Sequence, residues 1–308
     1  MIKRLAPAQR HLTNRPDLAT FHHYWGESHG PLFVNSRNLR RYVQHLTLPE
    51  AYGQDPAPTF DGVSMFWYDE YIPLDAPKAD REAEALYEEV RADDEQLFDR
   101  TVGWPTHHKR ASVVATEHVV VDGPTTPDMV KAIFIASKMP GLTLTEFFDH
   151  WGNVHAALGS AVPGLRRYVQ NHGLAAAYAD GVQTHDGWSE LWFDDLSSLH
   201  AAVRSPAWQP LREDGATLFA QPMGVGVARE RIQKDLDWTY NDWGASGLDE
   251  LEIRRRLRDQ GYVRLADDPD APARLKAAAE RGALAVWTDE HLVTIDDSRI
   301  SERPDRHV

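Results

Sequence analysis

Two histidines, His29 and His155, stand in matching settings, each four residues after a tryptophan (Trp25, Trp151). An imidazole is the natural proton carrier near neutral pH, so a histidine repeated beside an indole is a candidate general acid or base. The competing reading is structural: a core histidine on an apolar helical face, satisfied by a backbone carbonyl. Further on, LRRYVQNH (165–172) alternates, with Arg166, Tyr168, Gln170 and His172 on one face and Val169 on the other. WSELWF (188–193) puts Trp188, Glu190 and Trp192 on one face. The expectation is that the Tyr168/His172 face and the Glu190/Trp192 face both line one interior. A phenol, an imidazole, a carboxylate and an indole would then share a cavity. Tyr168 and His172 would polarise a carbonyl or phenolate while a second group removes or returns a proton. The structural alternative for Glu190 is an ion pair with Arg166 or Arg167, because carboxylates are rarely buried alone.

The same constellation occurs earlier in the chain in thinner form. LRRYVQ is found at 39–44 and again at 165–170, an offset of 126, which also superposes Phe21 on Phe147, Trp25 on Trp151, Gly26 on Gly152 and His29 on His155. Asp61-Gly62 falls on Asp186-Gly187, and Trp67 on Trp192, at an offset of 125; Arg91, Asp93 and Leu97-Phe98 fall on Arg212, Asp214 and Leu218-Phe219 at 121. Order is kept and the offset drifts only in loops, so the chain holds two copies of one unit. The first copy retains Tyr42 and Trp67 as substrate-contacting candidates but has Met65 where the second has Glu190. Opposite His172 stands Leu46, or His45 with a one-residue shift that turns it outward. The second copy therefore reads as the chemical one, with His155, His172, Tyr168 and Glu190 (and His29 from the first) as acid–base candidates. Tyr42, Trp67, Trp192, Met65 and Trp188 read as the substrate-binding wall.

Elements able to position these groups are readable in the second copy. VKAIFIASK (130–138) is β-branched and apolar, and Pro140-Gly141 ends it. Thr143 with Glu146 forms a capping box opening a helix on which Phe147, Trp151, His155 and Leu158 share a face. Strands follow at 165–172 and 188–193, then helices at 195–204 and 208–219 and a last strand at 223–228. This β-α-β-β-α-β order is ferredoxin-like. The first copy repeats it, although its opening strand, IKRLAPAQRHL, is weakened by Pro7 and several charges. Trp25 and Trp151 read as core, and the Arg40-Arg41 and Arg166-Arg167 pairs as partners for acidic side chains.

The segments FFDHWGNVHAALGSAVPGLRRYVQNH and DGWSELWFDD resemble the core of an EthD domain, and YWGESHGPL, LRRYVQH and SMFWYD resemble it more loosely. The resemblance spans about residues 1–232 and implies an α+β fold in which the tandem ferredoxin-like repeats pair as an intramolecular pseudo-dimeric α/β barrel. The superfamily includes dehydratases, decarboxylases, cyclases, monooxygenases, haem-binding relatives and accessory proteins of oxygenase systems. The expected function is a cofactor-independent lyase or isomerase (dehydration, cyclisation or decarboxylation) acting on a small apolar, aromatic or polyketide-like substrate. The alternatives are a cofactorless monooxygenase or a non-catalytic ligand- or haem-binding accessory protein, the haem held through His29 or His155.

Length and composition agree with this. A chain of 308 residues accommodates two domains with a good core. A formal net charge of −14 argues against nucleic acid and against anionic membranes. No apolar run is long enough to span a bilayer and no secretory signal is visible, so a cytoplasmic location is expected. The absence of cysteine removes disulfides, thiolate metal sites and cysteine nucleophiles. The histidines lack the i,i+4 spacing of a helical metal site, and no metal or cofactor is expected. MGVGVA (223–228) lacks the remainder of a dinucleotide fingerprint. The expected division is 1–123 and 124–232 for the repeats and 233–308 for an extension acting as a lid, a dimer arm or a small module. A homodimer is compatible with it. The extension carries Trp238, Tyr240, Trp243 and Trp287, costly to leave in water, and a hairpin around Thr288-Asp289.

Overall fold

The computed structural model describes residues 2–34, 39–68, 71, 81–99, 113–181, 183–234, 284–288 and 291–295. Eight strands dominate it: β1 (Ile2–Ala8), β2 (Leu39–Thr47), β3 (Gly62–Tyr68) and β4 (Val113–Val121), then β5 (Val130–Ala136), β6 (Leu165–Gly173), β7 (Gly187–Phe193) and β8 (Gly224–Lys234). They close into one antiparallel barrel in the order β1-β3-β2-β8-β5-β7-β6-β4. Closure removes the open edges that either half-sheet alone would carry. The two repeats exchange their last strands: β4 pairs with β6 of the second repeat, and β8 with β2 of the first. Matching strands run the same way and their registers correspond, with Lys3 opposite Trp67 in one repeat and Lys131 opposite Trp192 in the other. A pseudo-twofold axis therefore runs along the barrel.

Each repeat lays helices on the outside of its sheet. In the first these are α1 (Leu18–Tyr24), a π-turn (Trp25–His29), α2 (Gly30–Phe33) and α3 (Arg81–Leu97). In the second they are α4 (Leu144–His150), a π-turn (Trp151–His155), α5 (Ala156–Ser160), α6 (Ala175–Ala179), α7 (Leu196–Val203) and α8 (Trp208–Leu218). The capping box of Thr143 and Glu146 opens α4 as the spacing requires. The π-turns, which the sequence pattern does not reveal, fall at identical places in both repeats; such widened turns recur at functional sites. Phe147 and Trp151 pack on Leu218 and Phe219, and Phe21 and Trp25 on Leu97, so the aromatic helical stripe is core as expected.

The opening strand forms despite its charges: β1 is fully paired to β3, and Lys3 points into the barrel, 1% exposed. Residues 1–234 form one compact unit and 235–308 a second. In the second unit β9 (Leu284–Thr288) and β10 (His291–Ile295) form the expected hairpin. Trp238, Tyr240 and Trp243 lie outside the described residues. No described helix is long and apolar enough to cross a membrane.

Candidate functional site

Helices lie outside the barrel and the opposite half-sheet faces each strand inside, with the second half of β4 exposed, and the hydrogen-bond partners tell the faces apart. Glu190, Trp188, Met65 and Trp67 face inward with Leu5, Val43, Ile133 and Ile135. Trp192 faces inward beneath Lys131, whose ammonium lies 3.9 Å from the ring centre. Tyr168 and His172 do not join them. Register places Val169 beside Glu190 and Arg167 beside Trp192, so Tyr168, Gln170 and His172 point to the helix layer. There Gln170 donates to the carbonyl of Trp151 on the π-turn. Tyr42 is turned the same way, stacked on Phe66 and 5.9 Å from Phe33 of α2. The expected common cavity of Tyr168, His172, Glu190 and Trp192 is thus two separate sites on opposite faces of one sheet. His45, expected to turn outward, faces inward.

The inner site is an ion cluster arranged about the pseudo-axis. Glu190 receives Lys3 on one carboxylate oxygen and Lys131 on the other, the latter at 2.7 Å. Lys131 also donates to Nε2 of His45 at 2.8 Å and pairs with Glu230 at 2.5 Å; Lys3 pairs with Glu117 at 2.7 Å. An ammonium only donates, so His45 Nε2 carries a lone pair and its Nδ1–H faces the carbonyl of Val63 at 3.1 Å. Burial, then the Lys131 charge, hold the His45 pKa below its ordinary value, consistent with that neutral tautomer. Burial alone would raise the Glu190 carboxyl, but the charges of Lys131 and Lys3 outweigh it and hold it below the usual carboxylate range. Glu190 is therefore a locked carboxylate, ion-paired with Lys3 and Lys131 and accepting from Asn171 Nδ2 at 2.9 Å and Trp188 Nε1 at 3.0 Å. The arginines pair elsewhere, Arg166 with Asp194 and Arg167 with Asp122. The overlooked sign was Lys131 in an apolar strand and Lys3 at the matching place in β1.

The outer site belongs to the helix layer. In each repeat a glutamine donates its amide both to the tryptophan carbonyl of the π-turn and to a tyrosine hydroxyl: Gln44 to Trp25 and Tyr42, Gln170 to Trp151 and Tyr168. The glutamine oxygen is left to accept. In the first repeat it accepts from Gln233 Nε2 at 2.8 Å. In the second it meets Nε2 of His172 at 3.0 Å. That nitrogen must carry the proton, which leaves the lone pair on His172 Nδ1. Burial, then the neighbouring His118, push the His172 pKa down to about 3. His172 is half-buried in a stack of near-parallel rings, 4.7 Å from Phe148, 4.9 Å from Trp151 and 4.1 Å from His118.

Glycines in the π-turns show how the two repeats differ here. A Cβ on Gly26 would strike the guanidinium of Arg231 at 2.6 Å, and Gly26 is buried. A Cβ on Gly152 would meet only Cε1 of His172, at 3.7 Å, and Gly152 is exposed. The second repeat therefore presents an open aromatic shelf of Phe148, Gly152, His172 and His118 where the first is sealed. The sequence offered His172, with Gln170 only as its neighbour on the strand face, and neither His118 nor Gly152; the Gly26/Gly152 match was its one hint of the shelf.

His29 and His155 serve the helix layer. His155 Nδ1 lies 2.8 Å from Asp214, which also binds His150, and His29 Nδ1 lies 2.6 Å from Asp93. Both rings are buried edge-on against a phenylalanine, Phe219 or Phe98. Both acid–base candidates are thus buried and held by carboxylates, where the competing structural reading had a backbone carbonyl. Neither fits a haem ligand: His29 Nε2 lies 3.4 Å from a second carboxylate, Asp94, and both residues are buried, His29 2% and His155 7% exposed.

The EthD domain family matches residues 15–101 and 139–222, one match in each repeat. An EthD family protein from Bacillus halodurans is 25% identical over 33% of this chain and 99% of its own, with a TM-score of 0.29. An anthrone oxidase-like protein is 13% identical over 75% of this chain and 92% of its own, with a TM-score of 0.43. A dimeric ferredoxin-like protein from Bacteroides fragilis is 12% identical over 33% of this chain and 96% of its own, with a TM-score of 0.28. No curated protein sequence matches.

Proposed function

The chain belongs to the EthD family, and from that premise we propose that it is a cofactor-independent proton-transfer enzyme, a lyase or isomerase, acting on a small planar aromatic or polyketide-like molecule at the second repeat. The observation that carries this is the contrast between Gly152, exposed beside His172, and Gly26, buried beneath Arg231. The ring stack of His118, His172 and Phe148 offers a planar molecule a flat apolar surface to extend.

His172 is the base. Its Nδ1 lone pair takes a proton from an acidic O–H or C–H of the substrate, giving an imidazolium beside a substrate anion. Returned to a different substrate atom, that proton completes an isomerisation; delivered to a leaving hydroxide, it completes a dehydration. A half-buried imidazole with a depressed pKa is a poor base toward solvent. It becomes competent once an anion forms against it, since opposite charge favours the protonated form. Gln170, held by the Tyr168 hydroxyl and the Trp151 carbonyl, positions the ring and fixes its tautomer. Glu190 and the inner cluster hold the sheet and take no proton in this scheme.

The test is hydrogen exchange at the acidic methylene of 1,8-dihydroxyanthrone in D2O under argon. The protein is expected to accelerate exchange, and His172→Gln to reduce the acceleration by about a hundredfold, the usual scale for a general base. Exchange no faster than in buffer, or equal in the variant, overturns the proposal. Dioxygen uptake in step with anthrone loss under air would move the assignment to a cofactorless oxygenase.

A further inference from the structure

The sealed shelf of the first repeat holds a planar group already. The guanidinium of Arg231 lies over Gly26, with Cζ and Nη1 both 2.6 Å from where a Cβ would stand, and the amide of Gln233 lies as close over Gly30. Gln233 donates to the carbonyl of Gly26 and to the oxygen of Gln44, each at 2.8 Å. That second contact is the one His172 makes to Gln170 in the other repeat. Arg231 and Gln233 come from the end of β8, the strand exchanged from the second repeat. The pseudo-equivalent strand β4 pairs His118 with Gln170 where β8 pairs Arg231 with Gln44. His118 stacks on His172 and leaves Gly152 uncovered.

We propose that the first repeat contains a second binding shelf for the same class of small planar aromatic ligand, closed by its own chain through Arg231 and Gln233. The frame beneath them is kept, namely the Gln44–Tyr42–Trp25 relay and the glycine of the π-turn, while Leu46 stands in place of His172 and Arg231 in place of His118. With Leu46 instead of an imidazole this shelf binds without moving a proton. The closure is held at the surface. Arg231 is anchored by Glu27 at 2.8 Å, with both side chains partly solvated, and β8 ends one residue after Gln233, at Lys234, where the first compact unit also ends. A solvated ion pair of this kind contributes little, so the arginine half of the closure is loosely held, while Gln233 adds two hydrogen bonds of its own. The ligand class rests on the reading of the second repeat, while the existence of a closed shelf stands on the geometry of the first.

The experiment is the stoichiometry of 1-naphthol binding to the full chain by calorimetry. Wild type is expected to bind one equivalent and Arg231→Ser/Gln233→Ser two. Adding Gly152→Val to that variant is expected to leave one. Glu27→Gln, which leaves β8 intact, is expected to admit a second, weaker equivalent and guards against a double variant that folds poorly. One equivalent in both the double variant and Glu27→Gln, or none in the triple variant, overturns the second shelf. No binding by wild type together with one equivalent in the double variant would retain the first-repeat shelf and remove the second-repeat site.

Discussion

Glu190 joins the two repeats through lysines at matching positions, meeting Lys3 of β1 on one oxygen and Lys131 of β5 on the other. The residue across the pseudo-axis is Met65. Glu190 therefore bridges two buried ammonium groups that each hold a further carboxylate, Glu117 for Lys3 and Glu230 for Lys131; two identical subunits could form the bridge only by placing a second copy of Glu190 in the same interior. Removing one partner of a buried ion cluster costs far more than the cluster contributes, because the remaining charges stay desolvated. Glu190→Met is expected to lower unfolding free energy by about 1–3 kcal/mol in urea titrations, less than for a charge left wholly unpartnered, because Lys3 keeps Glu117 and Lys131 keeps Glu230. Met65→Glu added to it is expected to recover part of the loss. A single variant as stable as wild type would show that Lys3 and Lys131 do not depend on Glu190.

The pH dependence follows from the same carboxylate. Its pKa is lower in the folded chain than the ordinary value near 4.5. The stability it contributes is complete above that ordinary value and is lost as pH falls through the lower folded one. Glu190→Gln should therefore flatten the fall in stability below about pH 4.5 relative to wild type. Parallel slopes for the two proteins in acid titrations would contradict this.

The repeat, the element order and the barrel were legible because identical segments such as LRRYVQ and the alternation along each strand are local signals. Which face looks inward was not. Tyr168 and Val169 are each 1% exposed, so both faces of β6 are apolar enough to be buried and alternation does not label them. The decisive signs were the lysines. Lys131 interrupts an otherwise apolar strand, and the charges of β1, unfavourable in a strand taken alone, supply Lys3 to the interior. The tautomer of His172 depends on Gln170, two residues away on its own strand, but also on a carbonyl of the π-turn that no spacing rule predicts.

The imidazole of His172 should stay neutral through the physiological range. Burial and the neighbouring His118 hold its pKa at about 3, against 6.5 unperturbed. Because the unfolded chain takes up this proton first, the group removes stability progressively as pH falls from about 6.5 towards 3. Nitrogen-15 chemical shifts of His172 are expected to show the Nε2-protonated tautomer down to about pH 4, and His118→Ala to raise the midpoint. A midpoint near 6.5 in wild type would remove the desolvated site on which the catalytic proposal depends.

Gly152 and Gly26 give the most direct comparison of the two shelves. Valine tolerates a helical backbone about as well as glycine or better, so any difference between the two substitutions reports local space. At Gly152 the new side chain enters solvent-facing room with one neighbour at 3.7 Å. Gly152→Val is expected to fold with stability unchanged within about 0.5 kcal/mol, and to lose 1-naphthol binding because its branches cover the approach to His172. At Gly26 the same side chain meets the guanidinium of Arg231 at 2.6 Å. That guanidinium is the far end of a flexible side chain and can swing away, so Gly26→Val should break the Arg231–Glu27 pair at a cost of about 1 kcal/mol or less, leaving ligand binding at the second repeat intact. If Gly152→Val retains full binding, or if Gly26→Val abolishes it, the open shelf is not where the ligand sits.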